Sequence, residues 1–128
     1  EALTIQCFSL IPTTGTTGCL ALALLNDNGI VAGCEGDEQT LFTMLLCKAI
    51  TGSPGFMCNP SQIDKDSNSI LLAHCTIGLN QTSGYKLRSH FESGIGVAIQ
   101  GEMPEETYTI LKGGGNNMDQ LFAAHKYA

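Results

Sequence analysis

The sequence predicts an α+β protein: the end of an α/β unit, with a parallel sheet and crossover helices, followed by an antiparallel, barrel-like β portion. Two observations carry this. Residues 1–53 alternate strand-like and helix-like runs, the order of an open sheet with crossover connections. Residues 54–115 instead hold short β-branched runs separated by polar or Gly/Pro turns, which reads as hairpins. The switch falls near Ser53, and residues 116–128 are expected as a tail or short helix.

The elements follow in order. Residues 3–10 read as a strand, ended by Pro12-Thr13-Thr14-Gly15. Residues 18–26 read as a buried helix, apolar nearly all round, with Thr16 or Thr17 as its cap and Gly29 at its stop. A short strand over residues 30–34 leads to Glu35-Gly36-Asp37. Asp37 opens a second helix whose Leu41, Met44, Leu45, Lys48 and Ala49 keep a 3.6-residue period until Thr51-Gly52-Ser53-Pro54-Gly55. Residues 56–63 and 68–77 are strand-like around the turn Asp64-Lys65-Asp66-Ser67. Residues 95–100 and 107–111 form a second expected pair, and Gly113-Gly114-Gly115 reads as a flexible link.

Bulk properties narrow the function. Charged residues are only 14% of the chain, and 12 Asp+Glu against 6 Lys+Arg leave a net charge of −6. No basic stripe exists for a phosphate backbone, so a nucleic-acid partner is excluded. No apolar run approaches the roughly 18 residues of a membrane span. Glu1 opens the chain without a basic leader or an initiator methionine, which leads us to expect a piece of a longer protein. The six cysteines sit mostly in apolar runs without a C-x-x-C pair, so free thiols in a reducing cytoplasm are expected rather than disulfides or a zinc ribbon.

Glu35-Gly36-Asp37 lies between a strand and a helix, where open α/β sheets gather ligands. An extended path through Gly36 would turn both carboxylates to one side, a donor set for a hard divalent cation. Asp37 is equally suited to cap the helix and Glu35 to be a solvated turn residue. His74 ends the apolar run Ile70-Leu71-Leu72-Ala73, either as a metal ligand or as a buried neutral imidazole. His90 and Glu92 alternate onto one face, lining a polar pocket or a surface loop. Cys75 beside His74 in a strand points to the opposite face and makes no dyad with it.

Gly33-Cys34-Glu35-Gly36-Asp37, the Thr51-Gly52-Ser53-Pro54 stop, Asn68-Ser69-Ile70-Leu71-Leu72-Ala73-His74-Cys75 and Ser89-His90-Phe91-Glu92-Ser93-Gly94 together resemble the L-fucose/L-arabinose isomerase-like enzymes over residues 3–115. The resemblance implies a metal-dependent aldose–ketose isomerase. The sugar O1 and O2 would lie on Mn²⁺ or another divalent metal, and a carboxylate would move a proton between C1 and C2 through an ene-diol. It implies Asp37 and His74 as metal ligands, a monosaccharide substrate and a homo-oligomer; Glu35 is the candidate substitute for the catalytic carboxylate, and the alternation of His90 and Glu92 makes them the candidate substrate-binding residues. Two departures stand out: family members are several times longer, and their second catalytic glutamate, at the end of the first strand, falls here on Ser9 or Leu10. The competing expectation is a carbohydrate-binding, regulatory or assembly domain that kept the fold without the chemistry.

Overall fold

The computed structural model describes residues 1–127. Among the described residues, eight short strands and three helices form, in the order β1 (Ala2–Thr4), α1 (Cys7–Thr14), α2 (Cys19–Asp27), β2 (Val31–Gly33), α3 (Glu38–Thr51), β3 (Asn59–Asp64), β4 (Ser69–Ala73), a 3₁₀ turn (Leu79–Gln81), β5 (Gly84–Arg88), β6 (Ala98–Glu102), β7 (Thr107–Gly114) and β8 (Gln120–Tyr127). The mixed α+β class is as expected. Among the described residues the strands pair two by two, without a closed barrel.

β1 and β2 pair in parallel, Leu3 opposite Ala32. The strand expected over residues 3–10 therefore stops at Thr4. Its partner β2 is only three residues long, so beyond Thr4 no ladder remains to satisfy the backbone, and the chain closes its bonds internally as α1. α1 ends at Gly15, whose N–H bonds Ile11 O at 3.0 Å. α2 lies on the expected apolar run, but Gly18 rather than Thr16 or Thr17 caps it, without a side-chain bond. Thr17 instead reaches the β portion: its Oγ1 accepts from Val97 N at 3.2 Å and donates to Val97 O at 3.3 Å.

α2 is the hinge of the packing. Leu22, fully buried, joins Val31, Ala32, Cys34, Met44 and Met57 in the main core cluster. Its Cys19 and Ala23 instead enter clusters with Cys75 and Ala98, and with Ile77 and Ile99. Asn26 is buried and clamps β2, donating to Ala32 O at 2.8 Å and accepting from Ala32 N at 2.9 Å.

The β portion departs from expectation in its pairing. β3 and β4 form the anticipated hairpin around Asp64–Ser67, with Asp64 Oδ1 accepting from the amides of Asp66 at 2.9 Å and Ser67 at 3.2 Å. β6, however, pairs with β5, which the sequence reading left unassigned, and β7 pairs with β8 rather than with β6. The expected tail or short helix is thus strand β8 over Gln120–Tyr127, whose backbone finds a complete ladder in β7. Gly113 and Gly114 are strand residues, not a flexible link. Gly113 lets β7 approach α3: its N–H bonds Thr43 Oγ1 at 3.1 Å, and a Cβ there would meet that oxygen at 2.8 Å. Among the described residues, no helix is long and apolar enough to cross a membrane.

Candidate active site

The loop from β2 to α3 is the first wall of the site. Sequence alternation put Glu35 and Asp37 on one side of an extended path. The structure corrects this, because Glu35 has φ +64° and Gly36 φ +66°, both left-handed, so the chain turns sharply instead. Gly36 N–H bonds Ile5 O at 3.0 Å and ties the turn to the end of β1. The two carboxylates consequently part company.

Asp37 is the N-cap of α3. Its Oδ1 accepts from Thr40 N at 2.8 Å and its Oδ2 from Thr40 Oγ1 at 2.6 Å, with Lys112 Nζ 3.8 Å from Oδ2. Partial burial pushes its carboxyl pKa up, but the Thr40 bonds and the Lys112 charge outweigh that and leave it below the usual value.

Glu35 faces the β portion. Its Oε1 accepts from Asn59 Nδ2 at 2.9 Å and lies 3.5 Å from His74 Nε2. His74 follows the last residue of β4, and its side chain is only 5% exposed. Its other ring nitrogen, Nδ1, is 2.8 Å from Thr76 Oγ1. Burial lowers the imidazole pKa, opposed by the Glu35 carboxylate, so the ring is held neutral. In one neutral tautomer Nε2–H faces the Glu35 carboxylate and Nδ1 accepts from Thr76 Oγ1; in the other Nδ1–H is given to Thr76 and the Nε2 lone pair is free for a cation.

His90 is buried, with Nδ1 3.0 Å from Ser93 Oγ and 3.3 Å from Ser93 N; its Nε2 is 3.9 Å from Glu92 Oε2. A cavity of about 150 Å³ brings these residues together, its wall including Glu35, His74, His90, Glu92, Asn59 and Ser61. Phe8 and Phe91, both largely exposed, complete the wall with apolar faces. Four of the five residues singled out from the sequence thus meet in one cavity. Among the described residues Asp37 stands apart from that wall. His74 also lines a larger neighbouring cavity of about 570 Å³, shared with Arg88, the chain's single arginine.

Sequence reading missed three contributors. Asn59, Ser61 and Thr76 are ordinary polar residues with no spacing signal; only the fold aims them at Glu35, the cavity and His74. It also missed the thiol pair behind the wall, where Cys75 Sγ donates to Cys19 Sγ at 3.3 Å. That bond, with burial opposing and Thr17 and His90 assisting, lowers the Cys19 thiol to about 6 and raises Cys75.

Comparison with known proteins places this site in a context. The chain is 30% identical over 119 residues to the sulfoquinovose isomerase of Clostridium sp. (strain MSTE9), covering 88% of the chain and 27% of that protein. It is 24% identical over 118 residues to the sulfoquinovose isomerases of Priestia aryabhattai and Priestia megaterium, covering 88% of the chain and 26% of each. The chain therefore spans about a quarter of the length of the curated relatives it matches. No protein-family model and no solved structure matches it.

Proposed function

We propose that this chain forms part of an aldose–ketose sugar isomerase, with Glu35 and His74 as two ligands of one divalent cation. The observation that carries the reading is the 3.5 Å approach of Glu35 Oε1 to His74 Nε2 inside the cavity. Donors at about 2.1 Å on adjacent corners of an octahedral cation lie about 3 Å apart, so this pair closes on a cation with a small movement. One carboxylate and one neutral imidazole suit Mn²⁺ or a similar ion. When bound, that ion supplies positive charge at the sugar's O1 and O2. The similarity to the sulfoquinovose isomerases supports the reaction class.

The remaining roles follow from the geometry. Glu35 Oε1 faces Asn59 and His74, and in this reading Oε2 takes the proton from C2 of an open-chain aldose and returns it to C1. Asn59 fixes the carboxylate and Thr76 the imidazole. Asp37, implied by the resemblance as a ligand, here secures the start of α3 and thereby the turn that carries Glu35. Glu92 offers hydrogen bonds to sugar hydroxyls, and Phe8 and Phe91 offer apolar faces to its C–H bonds. Arg88 gives the adjoining cavity a counter-charge for a sugar bearing an anionic group. Large exposed apolar side chains, Ile50 at 78% and Phe91 at 77%, support assembly with further copies or further protein.

A binding module without turnover is the second reading. It is favoured by the end of β1, where Thr4, Ile5 and Gln6 provide no carboxylate. The deciding experiment is a Mn²⁺ titration by calorimetry, with an aldose–ketose interconversion assay beside it, on wild type, Glu35→Gln and His74→Ala. Each substitution is expected to weaken Mn²⁺ binding at least tenfold, about 1.4 kcal/mol, and to abolish interconversion. Equal Mn²⁺ uptake by all three overturns the site. Wild-type sugar binding without interconversion selects the binding module.

A further inference from the structure

Behind the Glu35–His74 wall, three buried side chains from distant parts of the chain converge. Cys19 opens α2, Cys75 follows β4 by two residues, and His90 follows β5 by two. They are 2%, 8% and 7% exposed, and one donor atom of each lies within 4.8 Å of the others. The cysteines are free thiols. We infer that Cys19, Cys75 and His90 form a second cation site, selective for a soft or borderline ion such as Zn²⁺, distinct from the oxygen-bearing pair at Glu35.

The donor chemistry sets the selectivity. Two sulfurs and one imidazole nitrogen match Zn²⁺, whereas Mn²⁺ and Mg²⁺ favour oxygen. Tetrahedral Zn²⁺ with bonds of about 2.3 Å to sulfur and about 2.1 Å to nitrogen spaces its ligand atoms about 3.6 Å apart. The cysteine sulfurs stand at 3.3 Å, so they separate slightly while the imidazole closes in. Ser93 N–H donates to His90 Nδ1 at 3.3 Å, which leaves the ring proton on Nε2; ligation through Nε2 moves that proton to Nδ1, where Ser93 Oγ at 3.0 Å accepts it in place of the amide bond. Cys75 and His90 also line the 150 Å³ cavity, which gives the ion an entrance and its fourth ligand, a water. Each thiol loses its proton to solvent on binding, and no electron is transferred.

The consequence is a further tie between parts already joined by small core clusters and a few hydrogen bonds: one ion would fasten α2 to the segments after β4 and β5. This inference does not rest on the isomerase reading.

The test is Co²⁺ titration of the protein with its thiols held reduced by a phosphine, followed by Zn²⁺ competition. The wild-type protein is expected to develop a near-ultraviolet thiolate-to-cobalt charge-transfer band that saturates at one equivalent and is bleached by one equivalent of Zn²⁺. Cys19→Ser and His90→Gln should each reduce Co²⁺ affinity at least tenfold, with Cys19→Ser also weakening the band. Absence of the band in folded wild-type protein overturns the site, as does a band that survives Cys19→Ser at full intensity. A band of wild-type strength in Cys47→Ser, a thiol outside the cluster, is required as well; its loss would move the site elsewhere.

Discussion

Glu35 is the residue at which backbone strain and chemistry coincide, and replacing it separates the two. Its φ of +64° puts an L residue in the left-handed region, which costs about 1–2 kcal/mol. Glycine adopts that conformation freely but gains about 0.5–1 kcal/mol of extra freedom in the unfolded chain. Glu35→Gln and Glu35→Gly both remove the charge facing His74, so comparing the two isolates the backbone. Allowing for any amide bond the glutamine keeps to Asn59, Glu35→Gly should be the more stable by about 0.5–1 kcal/mol. In a chain of 128 residues that is about 2–5 °C in Tm. Urea unfolding gives the stability and Mn²⁺ calorimetry the function. The expected pattern is a glycine variant that is the sturdier of the two and as poor as the glutamine variant at holding Mn²⁺. A glycine variant less stable than the glutamine variant by about 1 kcal/mol would refute the strain argument, and one that binds Mn²⁺ like wild type would refute the assigned role.

Four further outcomes are expected. Asn26→Ala leaves both the N–H and C=O of buried Ala32 without their partner and should cost about 2–4 kcal/mol in urea unfolding, whereas an exposed Asn80→Ala should cost under about 1 kcal/mol. Asp37→Asn should keep the α3 cap and leave Mn²⁺ affinity within threefold, while Asp37→Ala should lose about 1 kcal/mol of stability; a tenfold loss of Mn²⁺ affinity in Asp37→Asn would return that residue to the metal. Because folding lowers the Asp37 pKa, its stabilising effect is present above the ordinary Asp value of about 3.9 and disappears as pH falls through the lower folded value, a loss that acid titration of Asp37→Asn should lack. Gly96→Ala puts a Cβ 2.2 Å from Thr17 Oγ1 at φ +65° and should destabilise by about 2 kcal/mol or more, since the rigid Thr17–Val97 link cannot yield without breaking.

Local signals determined a good deal. A run apolar nearly all round located α2 and a 3.6-residue period α3, the Asp-led start and Gly52 stop bounded α3, and Asp64–Ser67 marked the first hairpin. These depend on contacts within a few residues, which the order of side chains already contains. The short motifs also singled out Glu35, His74, His90 and Glu92, with Asp37, as candidate site residues.

Tertiary structure decided the rest, because each remaining question concerned a partner far along the chain. β1 ends at Thr4 because β2 offers only three residues to pair with. β8 is a strand because β7 supplies its ladder, and β6 turned to β5 rather than β7. Two left-handed residues at positions 35 and 36, invisible to a period-2 argument, sent Glu35 toward His74 and Asp37 into the helix cap. Cys19 and Cys75 meet across 56 positions. A sequence can show that a carboxylate, an imidazole and a thiol are chemically able to share a cation; only the packing of α2 against the β strands determines which of them come within reach.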